Sequence, residues 1–169
     1  VVRPPAVAAD AVATGVAAAT LLGKTPVICR DAPGFVVNRV LFPYLRAAAE
    51  FAAVGTDLQK TDLQKTDLQK LDAAVRSWGM PMGPFALMDE IGLDVTLLIF
   101  RSLEQALGPR LATPAVVATM VARGWLGRKA GRGFYDHPPE GRPVPNPEWP
   151  VVGAVGEAHV IDDEFIARR

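Results

Sequence analysis

Few residues in this chain have types and spacings that could do chemistry. Cys29 stands alone, and the two histidines, His137 and His159, lie in or beyond a proline-rich stretch near the C-terminus. A general base needs a held geometry, which such a stretch does not supply, so both histidines read as solvent-exposed. One cysteine and two separated histidines offer no ligand set for a metal. Gly131-Arg132-Gly133 resembles half of a dinucleotide loop, but Phe134-Tyr135-Asp136 follows where that loop requires a helix. The run from Gly124 to Gly133 sets Arg128, Lys129 and Arg132 among four glycines. It could meet a ligand phosphate; the favoured reading is a solvated turn that packs Phe134 and Tyr135 onto helices.

Two polar residues interrupt apolar stripes. Asn38 falls about 100° from the charged face of its helix, in line with Phe42 and Leu45. Asp89 does the same on a later helix, in line with Leu93 and Phe100. A buried polar group must be hydrogen-bonded or it costs stability, so each either braces a neighbouring turn or faces a ligand. For Asn38, just after Pro33-Gly34, an amide that both donates and accepts suits a ligand.

The elements that must position these residues are mostly helical. Asp10 to Leu22 is an Ala-rich helix stopped by Gly23, flanked by Val1-Val2 and by the β-rich Thr25–Cys29. Strand, helix and strand in this length make one βαβ unit without further strands. Phe35–Val54 is expected as one long helix with Arg39, Arg46 and Glu50 on its wet face and Pro43 inside. Pro84–Leu107 is expected as a second long helix, and Pro114–Arg123 as a shorter third. Thr56-Asp57-Leu58-Gln59-Lys60 recurs at 61–65 and 66–70. Three five-residue units are too few and too short for a solenoid, so the extra copies are expected as a solvated helical extension or loop. Six of residues 138–150 are proline, which reads as a linker rather than a core.

Composition narrows the class. The 169 residues carry 18 Lys+Arg against 18 Asp+Glu, with 50% hydrophobic and 7% aromatic residues. Zero formal charge argues against nucleic-acid binding, which would otherwise rest on Arg123, Arg128, Lys129 and Arg132. The lone cysteine excludes a disulfide framework, and no apolar run reaches the length of a membrane span. A soluble cytoplasmic protein is expected.

Three blocks carry a resemblance. Gly23–Val27 through Asp31-Ala32-Pro33-Gly34-Phe35-Val36-Val37-Asn38-Arg39-Val40 resembles the junction in NAD-dependent 3-hydroxyacyl-CoA dehydrogenases, where a nucleotide-binding domain passes into a helical C-terminal domain. Gly79–Glu90 and Gly127–Tyr135 resemble that domain's two other signatures, in the same order. The implied fold is mainly α, a helical dehydrogenase C-terminal domain with a short βαβ-like remnant at the N-terminus. The implied division is 1–30, the tail of a nucleotide-binding domain; 31–136, the helical domain; and 137–169, a Pro-rich linker and the start of a second helical repeat. That start, Ile161–Arg169, is similar to multifunctional fatty-acid oxidation α-subunits.

The resemblance implies a role in fatty-acid β-oxidation: hydride transfer between NAD and the 3-hydroxyl carbon of an acyl-CoA. The family's His/Glu pair and its NAD site lie in the nucleotide-binding domain, so no catalytic or cofactor-binding residue is expected in this chain. Asn38 carries over as the substrate-binding residue, beside the thioester and 3-oxo group. Asp89 is expected to be a structural brace. The implied partners are the 3-hydroxyacyl-CoA or 3-oxoacyl-CoA, the nucleotide-binding domain and a second copy in a homodimer. The alternatives are a non-catalytic assembly module and a related dehydrogenase acting on a free hydroxy acid.

Overall fold

A computed structural model describes residues 1–57 and 68–149, without the side chains of 52–57. Its contacts gather into two units, Val1–Leu41 and Phe42–Arg169. The repeat copies at 58–67, His159 and the segment after residue 149 lie outside the described residues.

In the first unit, β1 (Val2–Arg3) pairs in parallel with β2 (Cys29–Arg30), with Val2 opposite Cys29 and Arg3 opposite Arg30. Helix α1 (Ala9–Leu21) makes the crossover between them. Gly23, at φ +69°, ends α1 in a Schellman turn, its N–H reaching Thr20 O and that of Lys24 reaching Ala19 O. The expected βαβ unit is present, but the second strand is confined to Cys29–Arg30. No residue of α1 is buried, and Leu21, Leu22, Val27 and Ile28 are all exposed.

Helix α2 (Val37–Asp57) runs through Pro43, and in the second unit it buries Phe42, Leu45, Ala48 and Ala49. It is followed by α3 (Leu68–Ser77), α4 (Pro84–Ile91), α5 (Leu93–Leu107) and α6 (Ala115–Ala122). The reading of 84–107 as a single helix is corrected: Gly92, at φ +94°, breaks it into α4 and α5. The N–H of Leu93 turns away to Leu126 O, so the i to i−4 ladder cannot cross the break. An isolated glycine inside a helical pattern gives little warning of this.

The core forms where Phe85 and Met88 of α4 and Leu93, Leu97, Phe100 and Leu103 of α5 meet Val117 and Met120 of α6, with Phe134. Phe42 meets Phe100 edge-on at 4.8 Å, and Phe85 lies 5.0 Å from Phe134. β3 (Tyr135–Asp136) then pairs antiparallel with β4 (Val144–Pro145). The described part of the proline-rich stretch is therefore not free linker. Trp149 is 3% exposed and 6.4 Å from Phe134, and Asn146 is 1% exposed. Prolines that lack a donor still suit a short edge strand.

Candidate functional site

Asn38 is the second residue of α2. Its N–H donates to Gly34 O at 3.1 Å, and the guanidinium of Arg39 donates to Pro33 O at 2.9 Å, closing the Pro33–Phe35 turn onto the helix start. Gly34 (φ +79°) and Phe35 (φ +46°) are both left-handed, and Phe35 is the one non-glycine with positive φ among the described residues. The Asn38 side chain is half-buried, and no hydrogen bond to its carboxamide forms among the described residues. An amide without a partner at a helix start can bind a carbonyl or hydroxyl.

The second polar centre is a pair of buried aspartates. Asp72, on α3, accepts the N–H groups of Phe85 and Ala86 at 3.0 Å each and the hydroxyl of Tyr135 at 2.8 Å. Those N–H groups belong to the first turn of α4, whose N-cap Gly83 has no side chain to cap them. Asp89, on α4, accepts the N–H groups of Phe134 and Tyr135 at 2.9 Å each. His137 Nε2 lies 2.9 Å from the same carboxylate. Tyr135 thus spans both aspartates, by its hydroxyl to one and its backbone to the other. Burial pushes both carboxyls above their usual range, while the surrounding N–H and O–H donors pull them back. Burial, then the charge of Asp72, pushes the Tyr135 hydroxyl far up, so it stays a donor. Three partners on each carboxylate make this a structural tie with little capacity left for a substrate.

The same tie explains the glycines. A Cβ at Gly127 would lie 2.4 Å from Asp89 O, one at Gly133 would lie 2.1 Å from its carboxylate, and one at Gly83 would lie 2.3 Å from Asp72. No side chain fits at such distances. The cations of this loop are spent locally. Arg128 pairs with Glu90 at 2.9 Å, Lys129 with Asp94 at 2.6 Å and Arg132 with Glu148 at 2.9 Å. Arg123 and Arg132 also stack on Trp125, 5.2 and 4.8 Å from its ring. The loop is a packed turn, as expected, and its cations are held in ion pairs. Among the described residues no three His, Cys, Asp or Glu side chains are grouped to hold a metal.

Residues 34–137 match the family model of the 3-hydroxyacyl-CoA dehydrogenase C-terminal domain. The chain belongs to this dehydrogenase domain family. It is also 39% identical over 128 residues to the fatty acid oxidation complex subunit alpha of Vibrio cholerae, covering 76% of this chain and 17% of that protein. Among solved structures, it resembles the 3-hydroxybutyryl-CoA dehydrogenase of Escherichia coli K12 with a TM-score of 0.70 and 36% identity, over 85% of this chain and 29% of that one. A Ralstonia eutropha (S)-3-hydroxybutyryl-CoA dehydrogenase gives 0.69 and 32%, over 81% and 46%. The chain therefore spans less than half the length of each of these relatives.

Within the dehydrogenase domain, the signature Gly79–Glu90 meets the signature Gly127–Tyr135 at Asp89, which acts as the expected brace. His137 corrects the expectation of an exposed histidine: its side chain is 13% exposed and held against Asp89. The Pro138-Pro139 pair that reads as the start of a linker instead follows a strand already tied down. Asp72 and the double role of Tyr135 are absent from the reading of the sequence. A signal for Asp72 was there, because it lies about 40° from Leu68 on the apolar face of α3 shared with Leu71 and Val75.

Proposed function

We propose that this chain is the substrate wall and dimerisation part of a longer NAD-dependent 3-hydroxyacyl-CoA dehydrogenase of fatty-acid β-oxidation, working in the cytoplasm. The observation that carries the proposal is the family match over 34–137, which includes Asn38 and its unpartnered carboxamide. The described residues do not fit NAD themselves. The β1–α1 turn, residues 4–8, has no glycine, and Gly131-Arg132-Gly133 leads into β3 rather than a helix. No step through the cofactor is therefore derived from this chain. In the proposal NAD and the His/Glu pair belong to a nucleotide-binding domain of which residues 1–30 are the closing piece. Residues 31–136 then supply the helical wall, and Asn38 orients the thioester and 3-oxo group of the acyl-CoA by hydrogen bonding.

Two measurements test this. The 169-residue chain alone should give no NAD-linked oxidation of 3-hydroxybutyryl-CoA; turnover above buffer background would place the reactive groups here after all. In the longer enzyme that contains this chain, Asn38→Ala should lower kcat/KM by about a hundredfold with the NAD affinity unchanged. An unaltered kcat/KM would remove Asn38 from the site. Comparable turnover of free 3-hydroxybutyrate would favour the free-acid alternative.

A further inference from the structure

We propose that the βαβ unit carries a separate anion pocket, an open cavity at the carboxyl ends of β1 and β2 that binds a phosphate monoester on a small organic body. The cavity, about 430 Å³, is lined by Arg3, Pro4, Pro5, Val7, Ala9, Arg30 and Asp31. Arg3 and Arg30 end their strands and are direct neighbours in the ladder. Side chains of such neighbours leave the sheet on the same face, and both arginines line the cavity. Like charges placed this way destabilise a strand pair unless something neutralises them.

Nothing within the described residues does so. Neither arginine has an ion pair or side-chain hydrogen bond there, and Asp31, although it lines the same cavity, pairs with neither. Two unpartnered forks converging on a concavity match the geometry of a phosphate dianion, which each can grip through two N–H groups. The volume exceeds what a bare phosphate fills. Pro4, Pro5 and Val7 offer apolar walls for the attached body, and Asp31 can accept from its hydroxyl groups. The ligand is held by guanidinium forks rather than by a glycine-rich backbone turn, so its recognition chemistry differs from the one NAD requires.

The test uses the whole chain, titrated by calorimetry and by amide chemical shifts with AMP, ribose 5-phosphate, inorganic phosphate and adenosine. AMP should bind saturably and more tightly than adenosine, with shifts centred on Arg3, Val7 and Arg30. Arg3→Gln or Arg30→Gln should each weaken AMP by about tenfold. Asp31→Asn, which removes an opposing charge, should strengthen it. Equal affinity for AMP and ribose 5-phosphate would identify a sugar phosphate as sufficient, and a tighter AMP would show that the base is also held. Either result supports the proposal. Removing one of two facing like charges relieves the ladder, so the glutamine variants should melt no lower than the parent, which separates lost binding from lost folding. If one does melt lower, Arg30→Lys, which keeps the charge but lacks the fork, should still bind AMP less tightly. Adenosine binding as tightly as AMP, inorganic phosphate matching both phosphate esters, unchanged affinity in the variants, or no saturable binding would each overturn the proposal.

Discussion

The second unit depends on two carboxylates to a degree that its helices conceal. Asp89→Asn keeps the shape of the side chain but turns one acceptor oxygen into a donor, leaving the N–H of Phe134 or Tyr135 facing an N–H. A buried donor left unsatisfied opposite a former carboxylate should cost about 3 kcal/mol by urea denaturation. Glu90→Gln breaks an ion pair whose partners are 47% and 66% exposed, and should change stability by less than about 0.5 kcal/mol. Equal losses in the two variants would refute the tie. Asp72 gives a pH signature of definite sign. Its folded pKa is raised by burial above the unfolded value, so its contribution to stability is full below about pH 4 and is lost as pH rises through the raised value. Measured against Asp72→Asn, the parent's advantage should therefore be greatest in acid and narrow towards neutrality. A gap that widens with pH would show the carboxyl pKa to be lowered instead.

At the level of elements, the helical periodicity of the sequence was enough to find α1, α2 and α6, because their apolar positions follow a helical repeat and their ends carry glycine or proline. What it could not show were features set by tertiary contacts. The break at Gly92 exists because Leu126 takes the N–H of Leu93, a partner more than thirty positions away in sequence. The β3–β4 pair is not legible in the sequence because prolines signal stiffness alone, whereas Trp149 and Asn146 are fixed by Phe134 and Gly133. Asn38 stands out in the sequence by its place in a familiar block, and its role remains a proposal, whereas Asp72 is hidden by a stripe that reads as wholly apolar. A pair of tryptophans tests whether the hairpin is core. Trp149→Ala should cost about 3 kcal/mol or more, as removal of a buried indole does. Trp78→Ala, at a site 84% exposed, should stay within about 0.5 kcal/mol. A Trp149 variant as stable as the parent would return residues 144–149 to the status of linker.

At the scale of the whole molecule, the burial pattern of α2 bears on the proposed dimer. Val37, Val40 and Phe51 are exposed at 69%, 72% and 64%, and their spacing places them with Ala47 along one side of the helix. The opposite arc holds Phe42, Leu45 and Ala49, which are buried. Large apolar side chains aligned and left in water on a long helix favour association, because each covered side chain contributes about 1.5–3 kcal/mol. A second copy related by a twofold axis would cover the stripe with its own. Sedimentation over a concentration series should therefore show a monomer–dimer equilibrium for the chain, and Val40→Glu with Phe51→Glu should shift it to monomer without lowering the melting temperature. A concentration-independent monomer for the parent chain would mean that α2 does not self-associate. The assembly-module alternative would then fall as well, since it depends on the same exposed stripe.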